Sequence, residues 1–265
     1  MKGPQRIVCL STETCEVLYR LGEQERIAGI SGFTVHPPQA RKEKPKVSAF
    51  TSAKTEKILA LKPDLVIGYC DLQADIAAEL AREGLEVHLF NQRDIAGILR
   101  MIETLGALVY ASDKAETLVA ELQAGMQQVR LQAGQLSRRP KVYFEEWDGP
   151  LISGIRWVSE LIELAGGEDC FAELSHHPKA KQRYITDPQE VVRRAPDLVI
   201  GSWCGKRFRP EHLFDRPGWP AIPALRDEQL FEIKSPDILQ PGISALTIGL
   251  DQLHNLIRQW DQRQC

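Results

Sequence analysis

The sequence predicts two α/β lobes with parallel sheets, joined by one long α-helix. Three observations carry this. Short apolar runs alternate with longer segments of helical periodicity. The hexapeptide Pro-Asp-Leu-Val-Ile-Gly begins at Pro63 and again at Pro196, each time after a helical segment. Between the two copies lies a Pro-free amphipathic stretch, 112–136, that is neither Gly/Ser-rich nor Pro-rich. The expected divisions are a first lobe at 1–111, a connecting helix at 112–136 and a second lobe at 137–265.

The elements follow in order. Strands are expected at 6–10, 27–31, 65–68 and 87–90, then at 141–145, 198–201 and 230–233. Helices are expected at 13–21, 52–61, 72–83 and 95–109, where apolar residues recur at helical spacing. Ser52 serves as the N-cap of the second of these. In each copy of the repeat a helix stops before Pro, which lacks an amide donor. Asp64 and Asp197 then make a tight turn, and an apolar strand enters a buried sheet. The 112–136 helix carries Leu118, Leu122, Met126, Val129 and Leu136 on one stripe, and about 24 helical residues span roughly 36 Å. A last helix is expected at 244–260.

Composition narrows the class. A chain of 265 residues, 43% hydrophobic and 26% charged, buries a full core without disulfides or a structural metal. A net charge of -3 argues against a generic nucleic-acid binder. No apolar run approaches the ~18 residues of a membrane span. The opening residues pass from Met1-Lys2-Gly3-Pro4 directly into Ile7-Val8-Cys9-Leu10, without an apolar export segment. The six cysteines form no Cys-x-x-Cys pair and fit no zinc spacing. Together these predict free thiols and a cytoplasmic protein, or a periplasmic one whose export signal has been removed.

Familiar catalytic motifs fail. Gly201-Ser202-Trp203-Cys204-Gly205-Lys206-Arg207 has three residues between its glycines where a phosphate loop has four, and Arg where that loop has Ser or Thr. Glu145, Glu146 and Asp148 offer carboxylates for acid–base work, but a solvated acidic loop end is the plainer reading. No nucleophile–base set is present, so no catalytic residue is expected.

In open α/β sheets, ligands sit beyond the C-terminal strand ends. That rule selects Phe33, Phe50 and Tyr69 in the first lobe, and Trp147, Arg156, Trp203, Lys206 and Arg207 in the second. Trp147 and Trp203 are read as a ligand wall, and Trp157 as core packing. Flat aromatic side chains with few charges suit a bulky, partly apolar ligand. Cys15, Cys70 and Cys204, with His36, could instead hold a soft metal or an iron–sulfur cluster. Burial of these cysteines as small apolar residues is the competing reading. His88 is expected inside a strand and His176-His177 in an exposed loop.

Taken in order, several segments resemble the helical-backbone (class III) substrate-binding proteins of ABC importers, in the cobalamin- and siderophore-binding branch. They are Arg6-Ile-Val-Cys-Leu-Ser-Thr-Glu-Thr14 leading to Leu21-Gly22, Gly29-Ile-Ser31, Pro37-Pro38, the run from Glu56 to Ile67, and Ser153-Gly154 leading to Ala165-Gly-Gly-Glu168. The resemblance implies two Rossmann-like lobes around one helix, a non-catalytic monomer, and a ligand held between the lobes. No cofactor is required. A cobalamin-like corrinoid is the expected ligand, with a ferric siderophore or haem as the alternative that Arg93, Arg156, Lys206 and Arg207 keep open. It also implies an ABC permease partner met by one exposed Glu per lobe. Glu56 matches in the first lobe. In the second the matching position is Gln189, with Glu190 one place later.

Overall fold

The computed structural model describes residues 3–263 and forms two compact units. Unit 1 comprises Met1–Gln123 with Gln240–Ile243, and unit 2 comprises Ala124–Leu239 with Ser244–Cys265.

Unit 1 contains β1 (Ile7–Cys9), β2 (Ile27–Ser31), β3 (Lys46–Ser48), β4 (Leu65–Tyr69) and β5 (Val87–Phe90), all parallel, in the order β3-β2-β1-β4-β5. Its helices are α1 (Thr12–Arg20), α2 (Ala40–Glu43), α3 (Thr55–Ala60), α4 (Ala74–Arg82) and α5 (Ile95–Leu108). The central strands β1 and β4 are buried throughout, which is why they read as unbroken apolar runs. Val8, Leu10, Ile58, Val66 and Leu80 form a core between β1, β4, α3 and α4. The chain passes from unit 1 to unit 2 within α6 (Ser112–Ala133).

Unit 2 contains β6 (Lys141–Asp148), β7 (Leu151–Ser153), β8 (Glu168–Asp169), β9 (Leu198–Gly201) and β10 (Leu230–Glu232). Their order is β10-β9-β6-β7, with β8 also on β6. Its longer helices are α7 (Arg156–Ala165) and the final one, Leu250–Arg263, entered through a π-turn at Ala245–Gly249. Short helices α8 (Ala172–Ser175), α9 (Gln189–Arg194), α10 (Glu211–Phe214), α11 (Pro223–Arg226) and α12 (Ser235–Ile238) lie between, so the final helix is α13. Tyr143, Phe171, Val199, Trp203, Phe208 and Trp219 share one core cluster.

The structure corrects several expectations. The second sheet is mixed, because β7 runs antiparallel to β6. Three-residue strands such as β3 and β7 carry too few alternations to show in the sequence. Ser52 is not an N-cap: α3 begins at Thr55, and Ser52 O accepts from Ala49 N at 2.7 Å in a small bridged turn.

The repeated Asp does more than turn the chain. The Asp64 carboxylate accepts the backbone N–H groups of Gln5 and Arg6, at 2.6 and 2.8 Å, just ahead of β1. The Asp197 carboxylate accepts the N–H of Lys141, at 2.8 Å, where β6 starts. Each Asp therefore sets the register between its own strand and the first strand of its unit. Lys62 and Ala195, just before the two prolines, both adopt φ 48°. This left-handed residue ends the helix and turns the chain toward the sheet.

Candidate functional site

In unit 1, five strand ends converge on one face, and Gln73 ties three of them. Its buried side chain accepts from Tyr69 N at 2.9 Å and donates to Leu10 O at 3.2 Å and Phe50 O at 2.9 Å. Beyond these ends, Phe33 is 52% exposed and Phe50 is 38% exposed. The Phe33 loop is held by Arg41, which donates to the carbonyls of Gly32 and Thr34 at 3.0 and 2.8 Å. Both aromatics therefore stand toward solvent on anchored backbone.

Tyr69, selected as a ligand-binding candidate by the strand-end rule, is not open to solvent. It is buried, its hydroxyl donates to Gln92 O at 3.2 Å, and the Arg93 guanidinium covers its ring at 5.4 Å. Arg93 in turn pairs with Asp71 at 3.0 Å. In the first turn of α1, Glu13 is buried with one carboxylate oxygen on the Thr12 hydroxyl at 3.0 Å and the other without a partner. Burial pushes its carboxyl up to about 7.

In unit 2, the acidic end of β6 is paired rather than merely solvated. Glu145 is fully buried and takes a two-point ion pair from Arg216 at 2.6 and 3.0 Å. It also accepts the Tyr143 hydroxyl at 2.9 Å and the Trp203 indole N–H at 3.1 Å. Glu146 takes two bonds from buried Arg183, at 2.6 and 3.1 Å. Asp148 pairs with Lys206. Such pairing leaves none of the three acids as an unengaged base.

Trp203 is also corrected. Only 3% exposed, it packs edge-on against Phe208 at 5.1 Å and belongs to the core. Trp147 is half-buried, its indole N–H donates to Gly149 O at 3.1 Å, and the Lys206 ammonium lies 4.2 Å from its ring centre. The same ammonium lies 4.7 Å from the Trp203 ring centre. Arg207 is exposed. Arg156 begins α7 and pairs with Glu160 one turn along its own helix, at 3.0 Å. Trp157 is core, as read from its helical setting, with its N–H on Ile238 O at 2.9 Å. His88 lies half-buried in β5, and His176 and His177 are exposed.

The thiol–metal reading loses its basis. Cys9, Cys15, Cys70 and Cys170 are buried and Cys204 is exposed, all as free thiols; Cys265 lies outside the described residues. Burial pushes the Cys9 and Cys170 thiols up to about 12, and raises those of Cys15 and Cys70 as well. Among the described residues, no three His, Cys, Asp or Glu side chains, Cys15, Cys70, Cys204 and His36 included, stand close enough to share a metal ion. Among the described residues, no helix is long and apolar enough to cross a membrane.

The two acids expected to meet a permease differ. Glu56 is exposed in the first turn of α3. Glu190 is engaged by Arg193 on one oxygen and by Arg194 on the other, the latter at 3.5 Å. The Arg193 hydrogen bond holds its carboxyl below the usual range.

A family model described as periplasmic binding protein matches residues 7–236. The chain belongs to the periplasmic binding protein family. It is a non-catalytic substrate-binding protein of the ABC-transporter type, with the two-lobed class III fold. The vitamin B12-binding protein of Vibrio campbellii is 26% identical over 92% of this chain and 86% of its own length. Periplasmic vitamin B12-binding protein BtuF of Vibrio cholerae superposes with a TM-score of 0.76, at 20% identity, over 98% of this chain and 99% of that one. Periplasmic haem-binding protein RhuT from Roseiflexus sp. RS-1 superposes with a TM-score of 0.80, at 22% identity, over 96% of this chain and 100% of that one. This periplasmic binding protein is thus similar in fold to binders of two different macrocycles.

Gln73 in unit 1 and Arg183 and Arg216 in unit 2 tie the strand ends of their own units and escaped the sequence reading. Each is a lone polar residue in a loop or short turn, and Arg216 lies 71 positions from its partner Glu145. No periodicity or spacing marks such a residue. The nearest signal is the acidic run at the end of β6, because carboxylates buried at a strand end demand cations from elsewhere.

Proposed function

We propose that this periplasmic binding protein takes up a cobalamin-like corrinoid, with the C-terminal strand-end face of unit 1 as a contact surface, and delivers it to an ABC permease. The observation that carries this reading is the exposed pair Phe33 and Phe50, held on anchored backbone. Apolar rings of this kind bury large flat surface at low entropic cost. The curated relatives named as vitamin B12- or cobalamin-binding support the same ligand. Haem is the second reading, favoured by the exposed cations Lys206 and Arg207.

Calorimetry and tryptophan fluorescence with cyanocobalamin and haemin test the choice. The expected outcome is saturable one-to-one binding of cyanocobalamin at micromolar concentration, weakened in Phe33→Ala and Phe50→Ala. Saturable binding of haemin alone would overturn the corrinoid reading in favour of haem, and binding of neither would sink both. Glu56 is proposed as the permease contact of unit 1, and α9 contributes little charge to docking because Glu190 is neutralised on its own helix. The same reading sets the protein's work outside the cytoplasm, which cell fractionation reads directly.

A further inference from the structure

We infer that the outer edge of the unit 1 sheet, from α2 through β3 to the first turn of α3, is a lysine-rich surface that rests on the anionic phospholipids of a bilayer. The inference rests on the ABC-transporter type of the protein, whose partner lies in a membrane, and not on the choice of ligand. Three observations carry it.

The first is charge. Residues 41–57 carry six cations, Arg41, Lys42, Lys44, Lys46, Lys54 and Lys57, against two acids, Glu43 and Glu56. Six less two is a net +4, and taking that from the chain's total of -3 leaves -7 on the remainder. The second is placement. β3 is an outermost strand, paired only with β2. The chain turns at 49–52 and comes back along it, where Lys54 N donates to Val47 O at 3.1 Å and Ala53 bridges Ser48. Lys57 N donates to Lys54 O at 2.9 Å as α3 begins, and α2, with Lys42, leads into β3 from the other end. Lys42, Lys46, Lys54 and Lys57 are all exposed. The third is pairing. Among the described residues these four lysines hold no ion pair, whereas Arg26, Arg93, Lys114 and Arg139 on other surfaces are each matched by a carboxylate. Arg41 donates to two neutral carbonyls, which leave its charge unmatched. Of the two acids, Glu43 accepts the Tyr19 hydroxyl at 2.7 Å.

Guarding a sheet edge against a second strand takes a charge or two on that edge. Lys46 and Lys54 meet that need, but Lys42 and Lys57 lie on helices and do not serve it. A cluster of this size is instead the pattern that anionic headgroups attract, because each ammonium near a negative bilayer adds its own increment of binding. Lysine suits the task, since a compact charge on a flexible stem reaches a phosphate without a fixed geometry. The attraction is loose and fades beyond a Debye length, about 8 Å at physiological salt. It keeps the protein at the membrane plane and so shortens its search for the transporter from three dimensions to two.

The test is co-sedimentation of the full chain with vesicles of phosphatidylglycerol and phosphatidylcholine in roughly equal parts, and with vesicles of phosphatidylcholine alone. Binding is expected on the anionic vesicles at low salt, lost at high salt and absent on the neutral ones. Lys42→Gln and Lys57→Gln should each weaken it about fivefold, and adding Lys46→Gln and Lys54→Gln to both should abolish it. Arginine at the same four positions should retain binding. Lys179→Gln with Lys181→Gln, at exposed positions of unit 2, should leave it within about twofold. Equal binding to neutral vesicles, full binding by the quadruple variant, or an equal loss in the unit 2 variant would overturn the surface. So would a wild-type chain that binds no vesicle, and capture of polyglutamate by that chain would then assign the edge to an acidic protein. Cyanocobalamin and haemin titrations of the wild type and the quadruple variant should agree. If the wild type binds neither, the ligand proposal falls and the vesicle result stands.

Discussion

Glu13 shows how one carboxyl can set a pH dependence for the whole chain. Its burial raises the folded-state value to about 7 from the ordinary 4.5. Between those values the folded protein holds a proton that the unfolded chain has released. Stability therefore falls as pH rises through that window, and the loss is complete above about 7. The size is about 3 kcal/mol, since one unit is worth about 1.4 kcal/mol. Glu13→Gln should flatten the dependence between pH 5 and 8 and raise Tm at pH 8, read by thermal melts across the range; an unchanged slope would reject Glu13 as its source. Other single residues show where sequence reading stops. Phe33 and Phe50 were legible as aromatics beyond strand ends because the strand-end rule needs only strand positions, and both are exposed there. Tyr69 and Trp203 satisfy the same rule yet are buried. Arg93 and Gln92 close over the first, and Phe208 and Lys206 over the second. Gln92 and Arg93 arrive from the loop after β5, whereas Lys206 and Phe208 belong to Trp203's own loop folded back on itself, and local pattern encodes neither path.

At the scale of elements, the hexapeptide repeat was the strongest legible signal, and its meaning was partly hidden. The strands, helices and parallel order around β1 and β4 follow from unbroken apolar runs and helical spacing. The clamp that each repeated Asp makes on a strand start about 56 to 59 positions away did not. The repeat's final glycine has a packing reason. A Cβ on Gly201 would stand 1.9 Å from the Phe208 ring, so the strand end and that ring share one space. Gly201→Ala should cost about 1–3 kcal/mol by forcing Phe208 aside. Gly125 is the opposite case: it lies exposed in α6 with nothing near an added Cβ. Gly125→Ala should stabilise by up to about 1 kcal/mol through helix propensity. Urea melts of the two variants should move in opposite directions, and parallel shifts would contradict this account. The antiparallel β7 stayed hidden because three residues between a Gly-Pro turn and a Gly carry no period.

For the whole molecule, ligand binding and folding are linked. A ligand that binds only the folded chain stabilises it by about 2.7 kcal/mol at a hundredfold excess over Kd. For a chain of this length that raises Tm by about 5 °C. Cyanocobalamin should produce such a rise in scanning calorimetry, growing with the logarithm of its concentration; a concentration-independent Tm would count against specific binding. The overall charge of -3 gives no hint of this chemistry, because the informative charges are local and paired. Family membership was legible in ordered short segments spread along the chain. The ligand was not.

The placing of the tryptophans has an optical consequence. Trp157, Trp203, Trp219 and Trp260 are all buried, and Trp147 alone is partly open. A collisional quencher dissolved in water therefore reports on one indole against a silent background of four, and that indole lies beneath Lys206. The molecule thus carries a single water-accessible dye, placed near the end of β6.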